Sequence, residues 1–166
     1  MTKSINLALV GASGVVGTKI IQLLEKKGLE IDNFYPLGNA SAGQKLEFNS
    51  SEYTINNIDS FDPSKADLTI FSAGSEVAKK YGEAYVEAGS YVIDLSSHFR
   101  YEEDVPLVIP EINGAELETL NTPSLIANPN CSTSQLLMAL KPIHDELNIE
   151  FINIATYQAV SGTGKA

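Results

Sequence analysis

The chain has a single cysteine, Cys131, and its position is typical of an activated nucleophile. It follows an apolar, strand-like stretch (residues 124–127) and the run Asn128-Pro129-Asn130, and an amphipathic, helix-like stretch begins at Gln135. The pattern therefore predicts a thiol at a strand-to-helix turn, near a helix N-terminus. Free backbone N–H groups and the helix dipole stabilise a thiolate there, and a thiolate is a strong nucleophile. The alternative is a small buried hydrophobic side chain, a common role for a free cysteine.

A glycine-rich turn near the start of the chain is the second feature that could do chemistry. It has the spacing G-x-x-G-x-x-G, and it lies between an apolar stretch (residues 5–10) and a segment with helical apolar spacing that ends at Gly28. Strand, tight turn and helix form the context in which such glycines indicate dinucleotide binding, although they can also serve packing alone. We therefore predict that the turn holds a cofactor through Gly11, Ser13, Gly14, Val15, Val16 and Gly17.

Composition restricts the classes of partner. The net charge of −10 and the pI of about 4.5 argue against nucleic acid and against anionic membrane surfaces as partners. No apolar run is long enough to span a bilayer. One cysteine excludes an internal disulfide framework and fits a reducing compartment, so we expect a cytoplasmic protein. No Cys/His pair has metal-ligand spacing, and no metal is predicted.

The rest of the chain alternates between strand-like and helix-like segments, which predicts an α/β fold with a doubly wound, Rossmann-type parallel sheet. Ligands bind such sheets at the carboxyl ends of the strands. We expect a dinucleotide-binding domain over residues 1–128 and the start of a second, α+β domain over residues 129–166. Further strands are predicted at 30–37, 53–55, 66–71, 91–95 and 150–157, and a helix at 76–88. Residues 105–110 are expected to form an extended edge or a loop, and a short helix capped by Asn113 is expected to run to Leu120.

Six motifs follow one another along the chain, at residues 11–17, 71–74, 94–100, 105–113, 127–133 and 156–164. In this order they resemble aspartate-β-semialdehyde dehydrogenase. A related enzyme, N-acetyl-γ-glutamyl-phosphate reductase, remains an alternative, but its cysteine motif typically reads Asn-Pro-Gly-Cys. Asn130 and the pair Ser132-Thr133 fit the aspartate enzyme better.

This resemblance implies a reaction in the biosynthesis of lysine, threonine and methionine, the reduction of L-β-aspartyl phosphate by NADPH to L-aspartate-β-semialdehyde. Cys131 would form a thioester with the substrate, Gln158 would orient the acyl group, and Asn130 would lie beside the nucleophile. Arg100 would bind the phosphate; without the resemblance, a surface ion pair is the simpler role for it, and a solvated strand end for Gln158. Further cofactor contacts would come from Ser72, Ala73, Gly74, Ser161 and Gly162.

The sequence departs from the family pattern in the loop after the second strand. Relatives that prefer NADP often carry an Arg-Ser pair there, which aligns here with Ala40-Ser41. Neither an arginine before Phe99 nor an acidic residue at the end of that strand is present, and the nearby cations are Lys19 and Lys45. The resemblance therefore implies NADP, contacted at Ala40 and Ser41, with NAD as an alternative.

The family's chains also extend well beyond this length. The additional part supplies most of the second domain, another substrate-binding arginine, a lysine and the catalytic histidine, for which neither His98 nor His144 is a good substitute. If Cys131 and His144 share one continuous helix, they are about 20 Å apart. Two hypotheses result: the N-terminal part of a dehydrogenase that is a homodimer or homotetramer when whole and inactive as this fragment, or a catalytically silent cofactor-binding or interaction module.

Overall fold

The computed structural model describes residues 4–158 of the chain. Within these residues, three short 3-10 helices at Ile58–Ser60, Pro63–Lys65 and Gly114–Thr119 accompany eight strands and four α-helices. In chain order the strands and α-helices are β1 (Ile5–Val10), α1 (Val15–Lys27), β2 (Ile31–Gly38), β3 (Lys45–Phe48), β4 (Ser51–Thr54), β5 (Asn56–Asn57), β6 (Leu68–Phe71), α2 (Ser75–Glu87), β7 (Tyr91–Asp94), α3 (Pro110–Asn113), β8 (Leu125–Ala127) and α4 (Cys131–Leu147).

Six of the strands form one parallel sheet in the order β5-β2-β1-β6-β7-β8. The chain builds outward from β1 through β2 to β5, and then crosses back to place β6 on the other side of β1. The strand order therefore reverses between β1 and β6, and the carboxyl ends of these two strands border the crevice where such sheets bind ligands. This topology confirms the predicted doubly wound, Rossmann-type α/β fold.

The core lies on both faces of the sheet, and β1 contributes to each. Leu7 and Leu9 belong to a cluster that includes Ile21 of α1, whereas Ala8 and Val10 belong to a cluster on the opposite face. A parallel strand covered on both faces has no polar side, which is why residues 5–10 form an almost continuous apolar run. Helix α2 covers the second face through its buried residues Ala78, Gly82 and Tyr85.

The sequence pattern predicted only one strand of the β-hairpin that lies between β2 and β5. Strands β3 and β4 pair antiparallel as a separate two-stranded sheet, whereas only a short strand at 53–55 was predicted. The turn is formed by Asn49 and Ser50, both with positive φ (50° and 60°), and lacks the glycine that usually marks such a turn. Phe48 anchors the hairpin, because its ring packs 4.5 Å from that of Phe34 between centroids.

One predicted helix is confirmed in position but differs in type. A helix was expected from Asn113 to Leu120, and the structure has a 3-10 helix over Gly114–Thr119, with Asn113 at its N-cap position and Leu120 at its C-cap position. The Asn113 side chain does not bond to that helix and instead accepts a hydrogen bond from the Ile109 N–H (2.8 Å). A short α-helix that was not predicted precedes it and begins at Pro110; proline suits a first helical position because it lacks an N–H.

The strand expected at 150–157 is absent, and residues 151–158 are irregular and exposed. A strand needs a neighbour for its backbone N–H and C=O groups, and no strand pairs with this segment within the described residues.

Helix α4 leaves the sheet at the carboxyl end of β8 and has no buried residue. The large apolar side chains that remain exposed along α4 and after it are Met138, Ile143, Leu147, Phe151, Ile152, Ile154 and Tyr157. Across residues 4–158, no helix combines the length and apolar character that a membrane span requires.

Candidate functional site

The glycine turn after β1 is as tight as its spacing predicts. Gly11 has a φ of +83°, and a Cβ placed on it would lie 3.0 Å from the backbone of Ser72. A Cβ on Gly17 would lie only 2.2 Å from the Gly11 carbonyl oxygen, so the first turn of α1 packs directly on the turn that precedes it. The Gly14 N–H closes the turn by donating to the same carbonyl oxygen (3.0 Å).

The N-terminus of α1 opens toward the crevice without a capping side chain. Gly14 is the N-cap residue and has no side chain to cap the helix, and the first turn contains no acidic residue. Val15 and Val16 are 56% and 49% exposed, and Ser13 is also exposed. Free backbone N–H groups and the positive end of a helix dipole form a site for an anion such as a pyrophosphate.

The loop after β6 forms the second wall of the crevice. Its first residue, Ser72, donates a hydrogen bond from its hydroxyl to the Val10 carbonyl oxygen (2.7 Å), which ties the ends of β6 and β1 together. Ala73 and Gly74 are exposed, and Gly74 (φ +88°) precedes α2, whose N-terminus also lacks a side-chain cap. The structure therefore brings the residues predicted at 11–17 and 72–74 to one edge of the sheet.

The loop with Ala40 and Ser41 follows β2 and is held by backbone hydrogen bonds. The Ala42 N–H donates to Asn39 (3.1 Å) and the Gln44 N–H to Ser41 (3.1 Å). A Cβ on Gly38 would lie 2.4 Å from the Ser41 hydroxyl oxygen, so that hydroxyl sits against the end of β2. Of the two cations considered nearby, Lys45 pairs with Glu52, and Lys19 donates to Gln22 (3.3 Å). Residues 39–44 themselves contain no charged side chain.

Arg100 lies in the turn after β7, where its guanidinium bridges the ends of two strands. Its Nε donates to the Asn128 carbonyl oxygen (2.9 Å), and its Nη2 donates to the Leu95 carbonyl oxygen (3.2 Å). Two of the five guanidinium N–H groups are used in this way, which leaves three for an anion. The surface ion pair considered as its simpler role is not found among the described residues.

Cys131 is the first residue of α4, so the predicted placement at a strand-to-helix turn is confirmed. The cysteine is exposed, and the alternative of a buried hydrophobic side chain is wrong. Asn130 is the N-cap residue and accepts a hydrogen bond from the Ser132 N–H (2.9 Å). Because Arg100 bonds to Asn128, the guanidinium and the thiol are attached to the same short segment, residues 128–131.

Other predicted site residues are not brought to this edge by any described contact. Gln158 is exposed in the irregular segment after α4, and no hydrogen bond within residues 4–158 joins it to Asn130 or Cys131. Ser161 and Gly162 lie outside the described residues. His144 accepts a hydrogen bond from the Ile149 N–H (3.1 Å) at the far end of α4, and the helix is continuous from Cys131 to Leu147.

Asp94, the last residue of β7, is a buried group to which sequence reasoning assigned no role. It is 0% exposed, and its carboxyl accepts hydrogen bonds from the Ser96 N–H (3.0 Å) and hydroxyl (2.7 Å). The signal that could have identified it is a charged residue type at the end of an otherwise apolar strand. In the part of the chain that the structure describes, no three His, Cys, Asp or Glu side chains are grouped to hold a metal ion.

These features define the class of the protein as a Rossmann-type α/β domain suited to a dinucleotide. They are a parallel sheet, a glycine turn, and uncapped helix N-termini at the point where the strand order reverses. The model of the semialdehyde dehydrogenase NAD-binding domain matches residues 6–120. The chain therefore belongs to the semialdehyde dehydrogenase family.

Individual relatives agree with this assignment and with the resemblance seen in the motifs. The chain is 47% identical to an aspartate-semialdehyde dehydrogenase from Shewanella sp. strain DB6705, over 99% of this chain and 49% of that protein. A crystal structure of aspartate semialdehyde dehydrogenase II from Vibrio cholerae superposes with a TM-score of 0.91 at 43% identity, over 98% of this chain and 49% of that one. A structure of that Vibrio enzyme complexed with ASA gives a TM-score of 0.85 at 40% identity, over 89% and 49% of the two chains. The chain thus spans about half the length of the relatives it matches.

Proposed function

We propose that this chain is the cofactor-binding and nucleophile-bearing part of an aspartate-semialdehyde dehydrogenase. The reaction is the reduction of L-β-aspartyl phosphate to L-aspartate-β-semialdehyde, with release of phosphate. The observation that supports it best is the joint attachment of Arg100 and Cys131 to residues 128–131. This segment lies at the same carboxyl edge of the sheet as the glycine turn.

The proposed chemistry divides between the thiol and the guanidinium. The Cys131 thiolate attacks the acyl carbon, the carbon–oxygen bond to phosphate breaks, and a thioester on the enzyme and free phosphate result. Arg100 directs its three remaining N–H groups to the phosphate, since a planar guanidinium suits the oxygens of that group. A nicotinamide cofactor, when bound, would supply the hydride that reduces the thioester, and cleavage of the carbon–sulfur bond would release the semialdehyde and regenerate the Cys131 thiolate. Asn130 holds the turn beside the thiol, and Gln158 orients the acyl group.

The crevice between β1 and β6 fits the cofactor. The uncapped N-terminus of α1 would hold the pyrophosphate, and the loop 72–74 would line the opposite wall. We propose that residues 161 and 162 complete the nicotinamide side. The 2′-phosphate of NADP(H) would lie beside Ser41. NAD(H) would also be accepted, because residues 39–44 contain no charged side chain that selects for or against that phosphate.

We also propose a second domain that begins at Pro129, directly after the sheet ends. The exposed apolar side chains along α4 support this boundary, because contiguous apolar surface usually marks a site of contact. We propose that the catalytic base is a histidine in the half of the family's chains that residues 1–166 do not match. The whole enzyme would be a cytoplasmic homodimer or homotetramer.

Cofactor binding is tested by titrating NADPH and following its fluorescence. Gly14→Val should abolish binding, because a Cβ there already lies 3.2 Å from the Gly11 carbonyl oxygen and the added methyl groups block the approach of a pyrophosphate. Gly114→Val is the matched control, since a Cβ at Gly114 meets nothing closer than 3.8 Å and the residue has a φ of −58°. Equal affinity of the Gly14→Val protein and the wild type would contradict the assignment of the crevice.

The nucleophile is tested by mass spectrometry after incubation with L-β-aspartyl phosphate. The proposal predicts an aspartyl adduct on Cys131 that the Cys131→Ser protein does not form. Cofactor binding without any adduct would instead favour the catalytically silent binding module.

A further inference from the structure

The carboxyl group of Asp94 is buried at the carboxyl end of β7 and is fixed by one neighbour. Both of its oxygens are used by Ser96, one by the backbone N–H and one by the hydroxyl. Burying a carboxyl group is costly unless it is hydrogen-bonded, and these two bonds offset that cost. They also fix the conformation of the turn from Asp94 to Ser96. The Ser96 hydroxyl in turn accepts a hydrogen bond from the His98 N–H (3.1 Å), which extends the fixed turn toward Arg100.

Both carbonyl groups that bind the Arg100 guanidinium are placed by Asp94. The first belongs to Leu95, the residue that follows it in the fixed turn. The second belongs to Asn128, whose N–H donates to the Asp94 carbonyl oxygen (2.8 Å). A shift of Asp94 would therefore move both acceptors of the guanidinium together. Asp94 forms no ion pair with Arg100 within the described residues, so its effect is transmitted through the backbone.

We propose that Asp94 is a positioning residue for Arg100. Its hydrogen bonds to Ser96 hold the two carbonyl groups that orient the guanidinium, so that the remaining N–H groups face the carboxyl edge of the sheet beside Cys131. The inference rests on the proposed function in one respect, the role of Arg100 as the group that binds phosphate.

A direct measurement exists because Arg100 is the only arginine in the sequence. The side-chain Nε–Hε group therefore gives one arginine signal in a ¹⁵N-correlated NMR spectrum, and its hydrogen-exchange rate reports the bond to Asn128. Asp94→Ala should raise this rate about tenfold, as expected when a bond of ordinary net strength is lost. Asp94→Asn keeps an acceptor for the Ser96 N–H and should raise the rate less than about threefold. Asp104→Asn, an exposed acidic position outside the network, is the matched control and should leave the rate unchanged.

Folding of each variant is checked independently by far-UV circular dichroism. A folded Asp94→Ala protein with the wild-type exchange rate would overturn the proposal. If the Asp94→Ala protein is unfolded, the exchange rate is measured in Ser96→Ala instead, because that variant removes only the hydroxyl bond to Asp94. An increased exchange rate in Ser96→Ala then supports the proposal, and an unchanged rate overturns it.

Titration with inorganic phosphate separates this proposal from the proposed function. Phosphate should shift the Arg100 signal in the wild type, and about ten times more phosphate should be needed in Asp94→Ala. If phosphate leaves the wild-type signal unmoved, the phosphate-binding role of Arg100 fails, while the exchange rates still decide whether Asp94 positions the guanidinium. A wild-type shift that Asp94→Ala reproduces at the same phosphate concentration would overturn the positioning role alone.

Discussion

Replacing Gly17 by alanine should destabilise the protein, because the three atoms nearest to the new methyl group all belong to the backbone. The added carbon would lie 2.2 Å from the Gly11 carbonyl oxygen and 2.9 Å from both the Cα and the carbonyl oxygen of Ala12. Carbon–oxygen contacts require about 3.3 Å, so α1 would have to move outward by about 1 Å. No change of side-chain rotamer can relieve this clash.

The size of the effect is the difference between two opposing contributions. Overpacking of this kind costs about 3 kcal/mol, at the upper end of the usual range because backbone must move. Alanine in place of glycine within a helix stabilises the folded state by about 1 kcal/mol, because alanine has the higher helix propensity. The free energy of unfolding should therefore fall by about 2 kcal/mol. Displacement of α1 also moves its N-terminus, so the affinity for NADPH should fall in the same variant.

Urea unfolding followed by far-UV circular dichroism measures the change. Gly28→Ala is the matched control, because Gly28 has a φ of +61° but open space around a Cβ. It should cost about 1 kcal/mol through backbone strain alone and leave NADPH binding intact. A Gly17→Ala protein that unfolds at the wild-type urea concentration, or a higher one, would refute the close packing of α1 on the glycine turn.

Three further predictions concern other parts of the molecule. Iodoacetamide should alkylate Cys131 faster than free cysteine at about pH 6.5, because the exposed thiol is at a helix N-terminus; equal rates by mass spectrometry would contradict this. The Tyr81 hydroxyl and the Lys80 ammonium hold the pKa of Asp59 below its ordinary value. The ionised carboxylate therefore stabilises the folded state above about pH 4, the pKa of an unfolded aspartate. This stabilisation is lost as the pH falls through the lower pKa that Asp59 has in the folded protein. Asp59→Asn should therefore flatten the dependence of thermal stability on pH below about pH 4, and an unchanged dependence would exclude this contribution. Ala40→Arg should strengthen NADPH binding about tenfold and leave NADH binding unchanged, whereas a parallel change for both would show that the loop does not meet the 2′-phosphate.

The central sheet could be predicted from the sequence because its signals are local. Residues 5–10 are apolar apart from Asn6, as expected for a strand covered on both faces, and Gly28 ends α1 in a left-handed conformation with φ +61°. The glycine spacing fixed the position of the turn between them. None of these signals depends on contacts with residues that are distant in the sequence.

The elements that were missed depend on contacts that a local pattern does not contain. The hairpin of β3 and β4 turns through Asn49 and Ser50 without a glycine, and its anchor is the contact between Phe48 and Phe34. The predicted strand at 150–157 has suitable residues but no described neighbour, so alternation of residue types alone could not decide its structure.

In the candidate site, too, residues placed by local signals could be predicted, whereas residues placed by contacts across the sheet could not. The placement of Cys131 at a helix start followed from the residues on either side of it. Arg100 could be named only through the resemblance, because the carbonyl groups that orient it come from the ends of β7 and β8, which are paired across the sheet. Asp94 was not recognised for the same reason, since its partners become apparent only once these strands are paired.

The turn that carries the nucleophile is anchored from the side of the sheet rather than by the helix that follows it. The Asn128 N–H donates to β7, its carbonyl oxygen accepts from Arg100, and Asn130 caps the first turn of α4. Helix α4 itself has no buried residue. The position of Cys131 relative to the crevice is therefore set by contacts within residues 94–132 and does not depend on the packing of α4.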